Sequence, residues 1–259
     1  MEHGIFASLL AVGLFVGMLI FSEAGRRIGM RRLAQDPEGA EAGVGVVDGA
    51  VFALLGLLIA FTFSGAAARF DARRQLIVEE TNDIGTAYLR LDLLSVDAQP
   101  ALREQFRKYI DARLEVYRKL PDFAAAKQEY VKVNKLQGEI WREAVAASRA
   151  QGASPAAPML LLNALNAMID ITTTRTMAMQ LHPPMVIFAM LFGLALASSL
   201  LVGYSMAGSK RRNWLHSVCL AFAMAVSVYV ILDLEYPRLG FIRLDAFDRA
   251  LMELRESMK

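Results

Sequence analysis

Apolar residues are concentrated in two blocks, one near each end of the chain, whereas the middle mixes apolar and charged positions as water-exposed helices do. A helix rises 1.5 Å per residue, so about twenty apolar residues cross a hydrocarbon core of about 30 Å. The blocks contain runs of this length at Gly4–Phe21, Val46–Ala68, Pro184–Met206 and Trp214–Leu232. The pattern predicts four transmembrane helices in two pairs, with a soluble insertion between the second and third.

The insertion has helical periodicity. No proline interrupts residues 69–94, so the second span is expected to continue into water as one long helix. A second helix starts at Pro100, a third runs from Phe123 to about Arg149, and a fourth from Met159 to about Gln180. The apolar face of the second helix comprises Leu102, Phe106, Tyr109, Ile110, Leu114 and Tyr117. No run alternates with period two, so no strands are expected.

The predicted fold class is therefore an all-α membrane protein with a helical soluble domain inserted between spans two and three. The expected organisation has four parts. Residues 1–68 hold transmembrane helices 1 and 2, residues 69–182 the soluble domain, residues 183–234 transmembrane helices 3 and 4, and residues 235–259 a C-terminal tail. Gly13 and Gly17 in span one, and Ser199 and Gly203 in span three, are spaced for close helix contact or for ordinary lipid contact.

Composition narrows the function classes. Hydrophobic residues make up 55% of the chain and the formal net charge is only +2, which argues against a nucleic-acid partner. One cysteine cannot form a disulfide within the chain, and no Cys/His cluster has metal-ligand spacing. Three scattered histidines and the absence of hydrolase, phosphate-loop and zinc-protease motifs predict no enzyme, no catalytic residue, no metal and no cofactor.

The stretch Leu54–Leu94, together with the arrangement of two spans, an insertion and two spans, resembles the DUF4239 family of bestrophin-like domain proteins. The resemblance covers essentially the whole chain and is most specific in this stretch. The matching residues are Phe61, Ser64, Arg69, Asp71, Arg73, Glu80, Asn82, Gly85, Thr86, Ala87 and Leu89, with Asp233, Pro237 and Gly240 after span four.

This resemblance implies a function. Bestrophins, to which the family is remotely similar, are pentameric anion channels with four spans per subunit and a cytosolic helical domain. By resemblance, the chain is expected to form a homo-oligomer, a pentamer, in the lipid bilayer of the inner (plasma) membrane and to pass small ions such as chloride. The alternative is a membrane-anchored helical sensor or scaffold that binds a partner without conducting.

The side of the membrane that the soluble domain faces stays open. The short loops after spans one and three carry arginines and lysines, and short basic loops prefer the cytoplasm. By this rule the termini and the soluble domain lie on the opposite side of the membrane. A bestrophin layout instead places both termini and the domain in the cytoplasm. Arg69, Arg73 and Arg74, on the domain side of span two, fit the second arrangement.

Span two carries the candidate pore. Leu55, Ile59 and Phe63 are spaced i, i+4 and i+8, so rings of these residues around a symmetry axis would form a constriction that gates by dewetting. The same spacing is typical of apolar residues that contact lipid or another helix. At the pore exit, Thr62, Ser64 and Arg69 are candidates to receive an anion, and Arg69 also fits a snorkelling anchor.

A polar cluster follows on the long helix. Glu79, Glu80, Asn82 and Asp83 offer oxygen atoms for a cation or for arginines of a neighbouring helix, and a solvated helix surface would have the same composition. Arg175, on the fourth helix of the insertion, is expected to pair with Glu80 or Asp83 across the bundle.

Overall fold

The computed structural model describes residues 2–36, 44–208, 214–238 and 240–258, which form helices and their connections and contain no strand. A short 3-10 turn, Arg90–Leu93, follows the second helix. The α-helices of the described residues are α1 (Glu2–Gln35), α2 (Val44–Leu89), α3 (Gln99–Arg118), α4 (Phe123–Ser148), α5 (Ala157–Gln180), α6 (Met185–Ser205), α7 (Trp214–Glu235) and α8 (Asp245–Ser257).

The predicted all-α class and the four spans are confirmed. The stretches long and apolar enough to cross a membrane lie within Ile5–Gln35, Gly45–Leu93, Ala157–Ser205 and Trp214–Glu235. These stretches contain the apolar parts of α1, α2, α6 and α7. The uninterrupted course of α2 to Leu89 also agrees with the long helix expected from the absence of proline.

The chain divides into two compact units. We call Met1–Ala68 with His182–Tyr236 the membrane unit, and Arg69–Leu181 with Pro237–Lys259 the inserted unit. Residues 237–259, part of the tail in the sequence analysis, thus belong to the inserted unit. Most of this segment is α8, an amphipathic helix whose Leu251 is fully buried.

In the membrane unit, α1 and α6 approach until their backbones touch. A Cβ atom added at Gly25 would overlap the carbonyl of Leu200, and one added at Gly203 would overlap the carbonyl of Ser22. Ser199 on α6 donates its hydroxyl to the carbonyl oxygen of Met18 at 2.5 Å. Helices in lipid are held by such close packing and interhelical hydrogen bonds, because burial of apolar surface gives little driving force there.

The glycines used in this contact are only partly those suggested by the sequence. Gly203 and Ser199 of α6 lie at the interface, as expected for close contact. On α1, Gly13 has no neighbour within 4 Å that an added Cβ would meet. Gly17 lies against the side chain of Leu196 on α6, whereas Gly25 and Gly29 meet the α6 backbone itself. Both α1 pairs have the same four-residue spacing, so spacing alone did not select the right one.

The inserted unit has a continuous hydrophobic core. Asp122 caps α4 by accepting the backbone N–H of Ala125 at 3.0 Å, and α4 begins at Phe123 as the sequence predicts. At the other end of the sequence, Arg255 of α8 donates two hydrogen bonds to Asp111 of α3 at 2.9 and 3.1 Å. Fully buried core residues include Ile84, Leu91, Phe106, Ile110, Val133, Ile140, Leu161, Leu165, Met168 and Leu251.

Candidate functional site

The apolar part of α2 is the least buried of the four candidate spans. Only 11% of its most apolar window is buried, compared with 22 to 33% for the other three. Leu54, Leu57, Phe61 and Phe63 are all exposed large apolar residues. In a bilayer, a surface of this kind contacts lipid, another copy of the chain, or a pore that such copies enclose.

The three residues expected to form a constriction differ in exposure. Leu55 is 2% exposed, Ile59 is half-buried and Phe63 is 46% exposed. Leu55 instead shares a buried stripe with Thr62 and Ala66, at i, i+7 and i+11. A side chain that lines a pore between protomers must be accessible on each protomer, and Ile59 and Phe63 meet this condition while Leu55 does not.

The three residues expected at the pore exit also separate. The Thr62 hydroxyl is buried and donates within its own helix, to the carbonyl oxygens of Leu58 at 2.8 Å and Ile59 at 3.0 Å. Ser64 is exposed and Arg69 is half-buried. Ser64 and Arg69 therefore keep polar surface beyond Phe63 along α2, whereas the Thr62 hydroxyl is bonded to carbonyl oxygens of its own helix.

In the inserted unit, the carboxylate of Glu80 is fully buried between two arginines. Arg113 of α3 donates Nε–H to Glu80 Oε1 at 2.6 Å, and Arg175 of α5 pairs through Nη1 with Glu80 Oε2. Glu80 is 0% exposed and the two arginines are almost as buried. The pair of Arg175 with Glu80 is one of the two alternatives that the sequence offered. Together, the two ion pairs of Glu80 tie α2, α3 and α5 to one another through charge-assisted hydrogen bonds.

Tyr117 extends this network. Its ring is contacted by the guanidinium groups of Arg113, Arg175 and Arg238, whose central carbons lie 5.3, 4.6 and 4.3 Å from the ring centre. Arg113 Nη2 also donates to the Tyr117 hydroxyl at 2.7 Å, and Arg238 makes two hydrogen bonds to Asp248 at 2.8 and 2.9 Å. Burial raises the pKa of the Tyr117 phenol above its ordinary value, which favours the neutral form that accepts from Arg113.

A second buried polar layer lies beside the first. The side-chain amide of Gln137 on α4 donates to the hydroxyls of Tyr109 and Thr172, both at 3.2 Å. The Thr172 hydroxyl in turn donates a hydrogen bond to the carbonyl oxygen of Ile169 at 2.7 Å. Burial raises the pKa of Tyr109 as well. Both layers are hydrogen-bonded, as buried polar groups must be to avoid a large desolvation penalty.

The other members of the predicted polar cluster do not join Glu80. Glu79 and Asn82 are exposed and Asp83 is half-buried. In the described ranges of the chain, no group of three or more histidine, cysteine, aspartate or glutamate residues could hold a metal ion. The cluster therefore separates into two parts. Pairing with arginines of a neighbouring helix applies to Glu80, and a solvated helix surface applies to Glu79 and Asn82.

The sequence analysis missed four members of the network: Arg113, Tyr117 in this role, Arg238 and Asp248. A signal existed for Arg113, because it lies four residues after Tyr109 and four before Tyr117 on the apolar face of α3. A charged residue on such a face has to find a buried partner. Arg238 and Asp248 gave no comparable signal, because their contact depends on how α8 folds back.

Comparisons with known proteins agree with this architecture. The family model described as the bestrophin-like domain matches residues 7–246. Among solved structures, the chain is similar to a crystal structure of a point mutant of a bacterial bestrophin homologue from Klebsiella pneumoniae. The TM-score is 0.64 at 14% sequence identity, over 93% of this chain and 98% of that one, a likeness of fold. No curated protein matches the sequence.

Proposed function

The chain belongs to the bestrophin-like domain family, and we propose on that basis that it is a homo-oligomeric ion channel whose pore is lined by α2. The proposal includes anion conduction, with chloride as the representative ion, and location in the inner (plasma) membrane. A pentamer is the proposed assembly, by analogy with bestrophins. The family match and the four apolar spans support a membrane channel in general, and the proposed pore lining and anion preference rest on α2.

The observation that carries the proposal is the exposure of the apolar part of α2. A pore-lining helix must present one face to the axis and flank copies of itself, so it is expected to be poorly covered within its own protomer. The 11% buried share of α2 meets this requirement. Ile59 and Phe63, one helical turn apart, form the proposed constriction. Leu55, the third residue suggested by the sequence, is left out because it is buried within the protomer.

Charge at the end of the span supports the conduction of anions. Ser64 and Arg69 follow Phe63 on α2 and supply a hydroxyl and a guanidinium that attract and hydrogen-bond anions. The guanidinium of Arg69 carries a positive charge. An anion that passes the Phe63 ring therefore meets positive potential, whereas a cation is repelled there.

Chloride efflux from liposomes tests the proposal. Purified protein is reconstituted, and efflux is compared with a potassium gluconate control in which the anion is too large to pass. We expect chloride-selective flux that changes when Ile59→Ala or Phe63→Ala widens the constriction. Phe61→Ala is the matched control, because Phe61 is exposed on a different face of the same helix and should leave the flux unchanged.

Two results would contradict the proposal. Folded, oligomeric protein that gives no flux across a range of pH and calcium concentration would favour the alternative of a membrane-anchored scaffold. Flux that responds to Phe61→Ala and not to Phe63→Ala would keep the channel but move the pore to another face of α2.

A further inference from the structure

A cavity of about 360 Å³ opens between α1, α6 and α7 of the membrane unit. The proposed conduction path along α2 does not use it. Its lining is mixed: Ser22, Glu23, Arg26 and Ser217 supply polar groups, and Leu19 and Val218 supply apolar surface. A site for a water-soluble ligand or for an acyl chain alone would be expected to have a more uniform lining.

The cavity lies at the depth of the membrane–water interface. Ser22 and Arg26 follow the last large apolar residue of span one, Phe21, and Trp214 begins span four. Tryptophan is enriched at this level of a bilayer, and arginine side chains extend from there toward water. The opposite course of α1 and α7 places Leu19 and Val218 on the side of the bilayer centre.

The polarity of the lining changes with depth. Toward the bilayer centre, Leu19 and Val218 present hydrocarbon to the cavity. One turn farther out along α1, the hydroxyl of Ser22 donates at 3.1 Å to that of Ser217, the residue just before Val218, and links α1 to α7. Arg26 lies another turn outward. A phospholipid has the same succession of acyl chain, ester and phosphate.

The charge at the mouth of the cavity favours an anionic ligand. The carboxylate of Glu23 also lines the cavity, and Arg27 offsets its charge by pairing with Glu23 Oε1 at 2.9 Å. Arg26, by contrast, makes no hydrogen bond or ion pair with any residue in the described ranges of the chain. A half-buried guanidinium at this depth suits a phosphate group, with which arginine forms two parallel hydrogen bonds.

We propose that this cavity is a binding site for an anionic phospholipid, with Arg26 pairing with the phosphate. The hydroxyls of Ser22 and Ser217 lie at the level of the ester groups, and Leu19 and Val218 contact the start of an acyl chain. The site is separate from the channel proposal, because it requires only that the membrane unit sits in a bilayer.

Lipid binding by the full-length protein tests the site. Native mass spectrometry in detergent would measure binding of phosphatidylglycerol and of phosphatidylcholine with the same acyl chains. Both lipids carry a phosphate that can pair with Arg26, but the quaternary ammonium of phosphatidylcholine offsets that charge and is repelled by Arg26. We therefore expect the wild type to prefer phosphatidylglycerol by about tenfold. Arg26→Gln should remove this preference. Arg31→Gln is the matched control, because Arg31 is exposed on the same helix, outside the cavity, and should keep it.

Three outcomes would overturn the site. Equal loss of preference in Arg26→Gln and Arg31→Gln would mean diffuse attraction to a basic surface. Thermal stabilisation by inorganic phosphate equal to that by phosphatidylglycerol would mean a simple anion site. Val218→Phe narrows the cavity without changing Arg26, and unchanged lipid binding in this variant would place the lipid elsewhere. Far-UV circular dichroism of each variant shows that it is folded, and none of these readouts depends on conduction.

Discussion

Arg113 Nε donates to Glu80 Oε1 at 2.6 Å, and neither side chain is more than 2% exposed. The two residues lie 33 positions apart in sequence, on α3 and α2. Withdrawing two ions from water carries a desolvation penalty. The pair is stable because each ion has a further partner, Arg175 for Glu80 and Tyr117 for Arg113. The network is therefore expected to respond strongly to the loss of any one member.

Glu80→Gln should destabilise the inserted unit strongly. Removal of the carboxylate charge leaves Arg113 and Arg175 buried without their counter-ion, and breaking a buried pair in this way costs about 3–5 kcal/mol. The thermal unfolding midpoint measured by far-UV circular dichroism should fall well below that of the wild type. Glu79→Gln, at the exposed neighbouring position, should leave it unchanged. Equal midpoints for the two variants would contradict the structural role of the pair.

Gly203→Ala should disrupt the membrane unit. The added methyl group would overlap the backbone carbonyl of Ser22, and neither helix backbone can yield without α1 and α6 separating. We expect a large loss of monodisperse protein on size-exclusion chromatography in detergent. Gly13→Ala adds the same methyl to open space and should behave as the wild type. Normal yield and stability of Gly203→Ala would show that the two helices do not approach so closely.

Leu251→Ala should destabilise the inserted unit through a cavity in its core. Leu251 is fully buried, and a leucine-to-alanine change in a core costs about 2–5 kcal/mol. The measurement is again the thermal unfolding midpoint. Arg249→Ala, on an exposed position of the same helix, serves as control and should change little. A tail that did not fold onto the unit would make the two variants indistinguishable.

Cysteine accessibility locates the water-facing side of α2. In a Cys219→Ser background, single cysteines are introduced at Leu55, Ile59, Phe61 and Phe63 and exposed to a membrane-impermeant thiol reagent. Only a hydrated thiol ionises to the reactive thiolate, so cysteines at 59 and 63 should react at least about tenfold faster than the other two. Leu55 is shielded by the protomer and Phe61 is expected to face lipid. Faster reaction at 61 than at 63 would reverse the proposed orientation of the helix.

Tyr109 and Tyr117 of the inserted unit should limit stability at alkaline pH. Burial raises the pKa of Tyr109 and Tyr117 above the ordinary value of 10.0, so both phenols hold their protons more tightly folded than unfolded. The stability that this difference provides is complete below pH 10 and is lost as the pH rises through the folded-state values. An absorbance titration of phenolate should show late-ionising tyrosines. Tyr117→Phe should remove one of them, and an unchanged titration would contradict the raised pKa of Tyr117.

The fold was largely predictable because its main signals are local. Apolar runs of sufficient length identify a span whatever surrounds it, and prolines and caps near Pro100 and Asp122 mark helix boundaries. Residues 235–259 were assigned only as a tail. The spacing of Leu251, Leu254 and Met258 predicts the amphipathic helix that is present there, and this signal was available.

The candidate sites were predictable only in part, because contacts between distant segments decide them. The partner of Arg175 could be narrowed to Glu80 or Asp83, since both are acidic and one turn apart. Which of the two is buried beside Arg175 depends on how α2, α3 and α5 pack, and in the structure it is Glu80. Likewise, the four-residue spacing of Leu55, Ile59 and Phe63 placed them near one another on α2, but the protomer covers one edge of that face and leaves the other open.

The backbone contact between α1 and α6 has a consequence for biosynthesis. Met18 and Ser199, which are joined by a hydrogen bond in this contact, are 181 residues apart in sequence. At about 5–20 residues per second, the ribosome makes that stretch in about 10–40 seconds. During this interval the face of α1 that contains Gly25 and Gly29 lies in the membrane before α6 has been made. It is then open to the membrane insertion machinery or to α1 of a neighbouring nascent chain.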